Sequence, residues 1–273
     1  MKKKDKLSMS SAIIYYVKSK PHIYKHFDYT YQKQEIDLVN ALPIIVNVIK
    51  YALPWRSIEH YYWNSIYKIY KRLLSFNVLK ETYKELLIKY YKKTPAKKLK
   101  MRFTDTTSIC NKYGSDLVDY NGHKKRNVTK LSLITDSNGI PLSYKIALGS
   151  TYDSTIFSEH INLEPLIDSQ LDAKHRKYFL ADSEYDTKQI LERLRQMNYI
   201  PIIAYNKRNT KDCKKMRYFN KVEKNIYKHR LKIEHMNGFI KTHRRVNVRY
   251  DRNIDTFEGS INLAFIDAIL KHI

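Results

Sequence analysis

Tyr227, Arg230, Glu234 and Lys241 follow one another at offsets of three, four and seven residues inside a helix-like pattern. That spacing stacks an aromatic ring, two bases and an acid along one stripe of a helix. Two further acids stand in apolar runs that read as strands, Asp105 in MRFTDTTSIC and Asp182 in KYFLADSEY. Alternate strand residues face the same side, so Met101, Phe103 and Asp105 share a face, and Asp182 ends the run Tyr178–Ala181. A carboxylate at the edge of an apolar sheet costs free energy unless something compensates it. A divalent cation does so: Mg²⁺ takes oxygen ligands and commonly uses one or two carboxylates, with water and substrate phosphate completing its shell. Two such ions, ~4 Å apart, suit phosphodiester chemistry. Asp105, Asp182 and Glu234 supply the ligands if the first strand lies beside the 177–182 strand, with Mn²⁺ as a substitute for Mg²⁺. Each acid alone has a plainer reading. Asp105 could cap the Thr104, Thr106 and Thr107 cluster, Asp182 could open a turn, and Glu234 could be half of a surface pair with Arg230.

The charge balance favours the chemical reading. Lysine and arginine number 51 against 27 acids in 273 residues, a net charge of +24. A chain this basic is expected to meet a polyanion, with nucleic acid first and an anionic membrane second. The membrane reading is weak. No apolar run approaches the roughly 18 residues of a spanning helix, and 221–243 mixes apolar and charged positions too evenly for a membrane-surface helix. MKKKDK is not followed by the apolar run of a signal peptide. Cys110 and Cys213 lack metal-ligand spacing and imply a reducing compartment. The abundance of lysine and tyrosine reads as AT-rich coding.

The elements that must position the acids fall into two regions. Residues 1–97 read as a helical, DNA-binding N-terminal region. IIYYVKSK, LVNALPIIVNVIKYAL and NSIYKIYKRLLSFNVLKETYKELLIKYY carry apolar residues at three- and four-residue spacing. Pro54 suits a helix start, Asn64 and Ser65 a cap, and two short helices joined around Tyr61–Asn64 a helix-turn-helix-like unit. KKTPAKKLK is a hinge. Residues 98–273 read as an α/β catalytic domain. Strands are expected at 101–110, 127–136, 140–148, 177–182 and 199–205, and helices at 154–168, 186–197 (capped by Asp186), 221–243 and 255–272. Asn138-Gly139 suits a type I′ hairpin turn. The first three strands form an antiparallel meander, and helical crossovers add parallel strands.

Several segments together resemble the DDE transposases of bacterial insertion sequences, in the IS4 and IS5 group. They are LPWRSIEHYYWNSIYKIYKRL, FTDTTSI, NGHKKRNVTKLSLITDSNGIPLSYKIALGSTYDST, LADSEYDT and HRLKIEHMNGFIKTHRRVNVRYDR. The resemblance runs from Leu53 to the C-terminus. It implies an RNase H-like mixed sheet flanked by helices, with a helical N-terminal region, and cut-and-paste DNA transposition. Asp105, Asp182 and Glu234 then stand as the catalytic and metal-binding triad, and Tyr227, Arg230 and Lys241 fit the family's helix motif. Three departures stand out: Ser183-Glu184 where the family usually has Lys-Gly, Tyr152 for the usual His before Asp153, and His235-Met236-Asn237 for an Arg-Phe-Phe type run.

The resemblance carries expectations beyond the triad. Two Mg²⁺ ions would serve cleavage at the transposon end, and the freed 3′-hydroxyl would join target DNA. The DNA-facing groups would be Tyr227, Arg230, Lys241, Lys124, Lys125, Arg126, Arg244 and Arg245, with His243 and Arg249 alongside. Partners would be double-stranded DNA, as inverted-repeat ends and target, and a second copy when assembled on DNA, but no membrane. The protein would act inside the cell at its DNA: cytoplasm and nucleoid in a bacterium, nucleus in a eukaryote. The rivals are an RNase H-like nuclease without strand transfer and a domesticated, non-catalytic DNA-binding protein.

Overall fold

The computed structural model describes residues 7–28, 35–95, 99–161, 177–208 and 217–273. Contacts divide the chain into two compact units. One comprises residues 1–93, 111–116 and 239–273, and the other residues 94–110 and 117–238.

The first unit is helical. Helix α1 (Met9–Lys18) is capped by Ser8, and α2 (Pro21–Tyr24) is a single turn. Helix α3 (Leu38–Tyr51) starts at Asp37, whose carboxylate accepts from the Asn40 N–H at 2.7 Å. Next come α4 (Trp63–Ser75) and α5 (Val78–Lys93). The sequence pattern runs through these two as one segment, but the chain breaks at Phe76–Asn77. Asn77 takes φ +52° there, a left-handed conformation that Asn tolerates better than most residues. Two N-terminal expectations are overturned. Helix α4 begins at Trp63 behind Tyr62, which makes no side-chain cap bond, so Asn64 and Ser65 lie inside the helix; the Ser65 hydroxyl donates to Glu35 instead. Ahead of it stands only a three-residue 3-10 turn, Trp55–Ser57, and not the first helix of a helix-turn-helix.

Nothing in the periodicity hints that the C-terminal helix belongs with these N-terminal ones. Its 16 residues, Ile254–Ile269, include 12 buried ones, so it is wrapped on nearly all sides. Gly259 is required there. A Cβ would stand 2.4 Å from the Tyr70 hydroxyl oxygen, and that hydroxyl donates to the Thr256 carbonyl at 2.8 Å.

The second unit is built on a mixed sheet. Strand β1 (Met101–Asn111) pairs antiparallel with β3 (Arg126–Asp136), which also takes β2 (Asp119–Asn121) and β4 (Pro141–Leu148). On its other side β1 pairs in parallel with β5 (Lys177–Ala181), and β5 with β6 (Tyr199–Ile203). An antiparallel meander extended by parallel strands is the arrangement expected from the sequence. Helices α6 (Asp153–His160) and α7 (Lys188–Gln196) cover it, burying Ile134, Phe157, Phe179, Ala181, Ile190, Leu194, Tyr199 and Ile203 in one core.

Three local details differ from expectation. The β3–β4 turn is not type I′, which needs positive φ at two residues. Gly139 N–H closes onto the Asp136 carbonyl at 2.9 Å, and only Gly139 turns left-handed, at φ +82°. Helix α7 is capped by Thr187, which accepts from the Ile190 N–H at 3.3 Å. Asp186 is instead buried, paired with Arg217 at 3.1 Å. The pattern over 221–243 is not one helix: α8 (Lys221–Tyr227) passes through a 3-10 turn, Lys228–Arg230, into α9 (Leu231–Lys241). Periods of 3.0 and 3.6 residues cannot be told apart over three residues, and no Gly or Pro marks the change. Part of the expected 154–168 helix and residues 96–98 of the hinge lie outside the described residues.

Candidate active site

Parallel pairing of β1 with β5 sets Phe103 opposite Leu180. Two residues further along come Asp105, in the middle of β1, and Asp182, just past the carboxyl end of β5, so the two acids lie side by side on neighbouring parallel strands. The apolar side chains before them hold the strands in place. Phe103, Phe179, Leu180 and Ala181 are all fully buried.

Both carboxyls titrate high. Burial comes first for Asp105, the negative charge of Asp182 second, and together they push its pKa up to about 6, against the pull of Arg230. Burial also raises Asp182, opposed by the Glu184 N–H and by Arg230. That N–H donates to Asp182 Oδ1 at 2.9 Å, and Asp182 thereby caps the 3-10 turn Ser183–Tyr185. Beneath the acids lies Tyr185, fully buried, its hydroxyl 2.9 Å from Thr106 Oγ1.

Glu234 stands in the first turn of α9, and its Oε1 accepts from Arg230 Nη2 at 2.5 Å. The Arg230 guanidinium also lies 5.8 Å from the centre of the Tyr227 ring. Three of the four helix-motif residues therefore meet, despite the 3-10 turn between them. Lys241 ends the same helix as Glu234. A lysine at the start of α9 matters for placement too: Lys232 Nζ donates to the Ser137 carbonyl in the β3–β4 turn.

Two groups that the spacing does not reveal also belong to the site. Asn237, one turn beyond Glu234, donates from Nδ2 to Asp105 Oδ2 at 2.8 Å. Asp153, in the first turn of α6, is paired with Lys130 at 2.7 Å, and its charge raises the pKa of Glu184, after burial. The TYDST segment was the available signal for Asp153. For Asn237 the departure at His235-Met236-Asn237 marked the position but not the partner, which lies 132 residues away.

Among the described residues no group of three or more His, Cys, Asp or Glu side chains is arranged to hold a metal ion. The three predicted acids therefore do not form a ready-made cage: Glu234 is engaged by Arg230 and Asp105 by Asn237. The donor chemistry nevertheless fits a hard divalent cation. Two buried carboxyls side by side, one of them raised further by the charge of the other, are relieved by a positive ion.

The basic residues sort by burial. Lys124, Lys125, Arg126 and Arg244 are exposed. Arg245, expected to face DNA, is turned inward. It is 6% exposed, ion-paired with Asp251 at 3.3 Å, and donates to the Val48 and Leu53 carbonyls. Arg249 is fully buried, with its guanidinium donating to the carbonyls of Asp116, Asp251 and Arg252. His243 is also fully buried, with Nε2 3.3 Å from Asp267. An arginine-rich string cannot disclose which guanidiniums the fold turns inward.

No described helix is long and apolar enough to cross a membrane. No curated protein matches the sequence. Among solved structures, the catalytic domain of Mos1 mariner transposase is 13% identical, with 71% of this chain covering 87% of that one at a TM-score of 0.37. A piggyBac transposase synaptic complex with hairpin DNA is 10% identical, with 97% of this chain covering 64% of that one at a TM-score of 0.45. Likeness at that level carries no weight by itself. The family match does: the family described as "Transposase DDE domain" matches residues 96–266, well over half of the chain. The chain thus belongs to the transposase DDE-domain family, enzymes that cleave DNA at transposon ends and transfer the cut strands into target DNA.

Proposed function

We propose that Asp105, Asp182 and Glu234 are the catalytic and metal-holding acids of this transposase. The observation that carries the reading is the emergence of Asp105 and Asp182 from adjacent parallel strands, with burial raising both carboxyls and the charge of Asp182 adding to the rise of Asp105. Glu234 faces them electrostatically, since its charge also raises Asp182. Mg²⁺, with Mn²⁺ as substitute, is the ion for this oxygen-only set, and a pair of such ions supplies Lewis acidity and charge neutralisation for phosphodiester exchange.

The chain's own residues bind and orient the substrate. Arg230, bonded to Glu234 and close to Tyr227, holds a phosphate beside the acids once a cation takes over the carboxylate. Lys241 adds a point charge further along α9, and Tyr227 offers a ring to the DNA near the scissile bond. The exposed Lys124, Lys125, Arg126 and Arg244 hold backbone phosphate without reading sequence. The substrate is double-stranded DNA, first at the inverted-repeat ends and then at the target. Two copies assemble on it, because two ends must be joined together. Residues 1–97 serve DNA binding and 98–273 catalysis, and the protein works wherever the cell keeps its DNA.

The test is cleavage and strand transfer on labelled DNA carrying the inverted repeats that flank the gene, with Mg²⁺ or Mn²⁺. Metal-dependent nicking at the repeat ends and joined products are expected from wild type. Asp182→Asn should lose both while still binding DNA. Nicking without joining would favour a nuclease. Binding without cutting in either metal would make the protein a domesticated DNA-binding protein.

A further inference from the structure

We propose that Asn237 is a positioning residue of the cation site, orienting the Asp105 carboxylate through its side-chain amide so that the other carboxylate oxygen is left for the metal. The inference rests on Asp105 and Asp182 being the metal-holding acids.

The geometry is specific. Asn237 Nδ2 donates to Asp105 Oδ2 at 2.8 Å, from a helix onto a strand. The residue is 7% exposed and lies between Ile233 and Ile240 on the inner face of α9, next to Met236. Its own carbonyl oxygen, Oδ1, is buried and has no hydrogen-bond partner. A buried acceptor without a partner costs folding free energy, which offsets what the single bond to Asp105 contributes to the fold. Asn237 is therefore poorly explained as a folding residue. Its one satisfied group is the one that touches Asp105.

The rotation of a carboxylate decides which lone pairs face a cation. Partners outside a metal's own ligands that fix this orientation are worth about ten- to a hundredfold in metal affinity. An amide donor is suited to the task here. A lysine or arginine would compete with the cation for the carboxylate's charge, whereas an amide fixes the geometry and leaves the charge in place.

Mn²⁺ binding to the full chain, followed by calorimetry at pH 8, tests this with Asn237→Leu, Asn237→Asp and Asp182→Asn alongside wild type. Thermal melting without metal is recorded for each. Asn237→Leu is expected to bind Mn²⁺ about tenfold more weakly with an unchanged melting temperature, because the missing bond to Asp105 is offset by removal of the orphaned carbonyl. Asn237→Asp keeps an oxygen but cannot donate to Asp105 when ionised, so it should bind Mn²⁺ no better than Asn237→Leu. A lowered melting temperature with wild-type Mn²⁺ affinity in Asn237→Leu would make the residue merely structural and overturn the proposal. Rescue by Asn237→Asp would overturn it as well, since the working atom would then be an oxygen. If Asp182→Asn abolishes binding while both Asn237 variants bind normally, only this inference falls. If wild type takes up no Mn²⁺, or Asp182→Asn binds as wild type does, the assignment of the acids falls with it.

Discussion

Arg230 and Glu234 are joined at 2.5 Å across four residues, and the same guanidinium lowers the pKa of both Asp105 and Asp182. One arginine thus supplies positive charge to all three acids in the absence of metal. It is a stand-in for the cation and a competitor of it.

Removing that charge should therefore tighten metal binding while harming the reaction. Arg230→Met is expected to bind Mn²⁺ several-fold more tightly at pH 8 in calorimetry, because Glu234 is released and the guanidinium no longer offsets the charge of the acids. Cleavage of the labelled repeat ends should fall, since the phosphate loses its holder. Folding stability should change by less than about 1 kcal/mol, as befits a partly exposed i,i+4 pair. Weaker Mn²⁺ binding in Arg230→Met would show that the arginine organises the carboxylates more than it competes for them.

Asp105 destabilises the metal-free protein at neutral pH. Its folded-state pKa of about 6 lies above the ordinary 3.8. The folded chain therefore holds this proton more tightly than the unfolded chain does, and the stabilisation that follows is complete below about pH 4 and lost as pH rises through 6. At pH 7.5 the ionised group costs on the order of 2 kcal/mol, after discounting for its partial exposure. Asp105→Asn should then melt higher than wild type at pH 7.5 in the presence of a chelator. The difference should shrink through pH 6 and vanish below pH 4. Mn²⁺ should raise the melting temperature of wild type and leave Asp105→Asn unmoved. A pH-independent difference between the two proteins would place the effect in packing.

How far the sequence discloses these relations follows from the range of the forces involved. Strand alternation and helix periodicity are local, so β1, β3, β4, β5 and β6 can all be read to within a few residues, as can the meander and its parallel extension. The Asp105–Asp182 juxtaposition follows once β1 is set beside β5. What stays hidden is decided by partners distant in the chain. Asn237 meets Asp105 across 132 residues. Arg245 turns inward because the Val48 and Leu53 carbonyls and Asp251 wait for it, and the final helix is buried by close approaches such as Gly259 against Tyr70. The 3-10 turn at Lys228–Arg230 is local yet equally hidden, because neither composition nor period marks it.

Burial separates the basic residues into two groups with opposite phenotypes. Arg245→Met leaves Asp251 as a buried, unpaired carboxylate whose pKa burial already raises. Breaking a buried pair in this way costs about 3–5 kcal/mol. Denaturant unfolding of Arg245→Met should show a loss of that order, and any weakening of DNA binding should disappear when only the folded fraction is counted. A native-like melting curve with reduced DNA affinity would return Arg245 to the DNA-facing set.

The exposed run Lys124, Lys125 and Arg126 should behave in the reverse way. Each side chain is solvated in the free protein, so replacing all three with alanine removes little that holds the fold together, and the melting temperature should stay near wild type. On DNA, each phosphate that these cations neutralise sets counterions free. The slope of log K against log salt should therefore become shallower by about 0.9 for every phosphate on double-stranded DNA that is no longer neutralised. Affinities measured across a salt series, on two duplexes of unrelated sequence, should show the same reduced slope on both, because phosphate holds position and carries no sequence. A loss confined to one duplex would place these residues against base edges. An unchanged slope would leave this loop pointing away from the DNA and shift the electrostatic work to Arg244, Lys241 and the N-terminal helices.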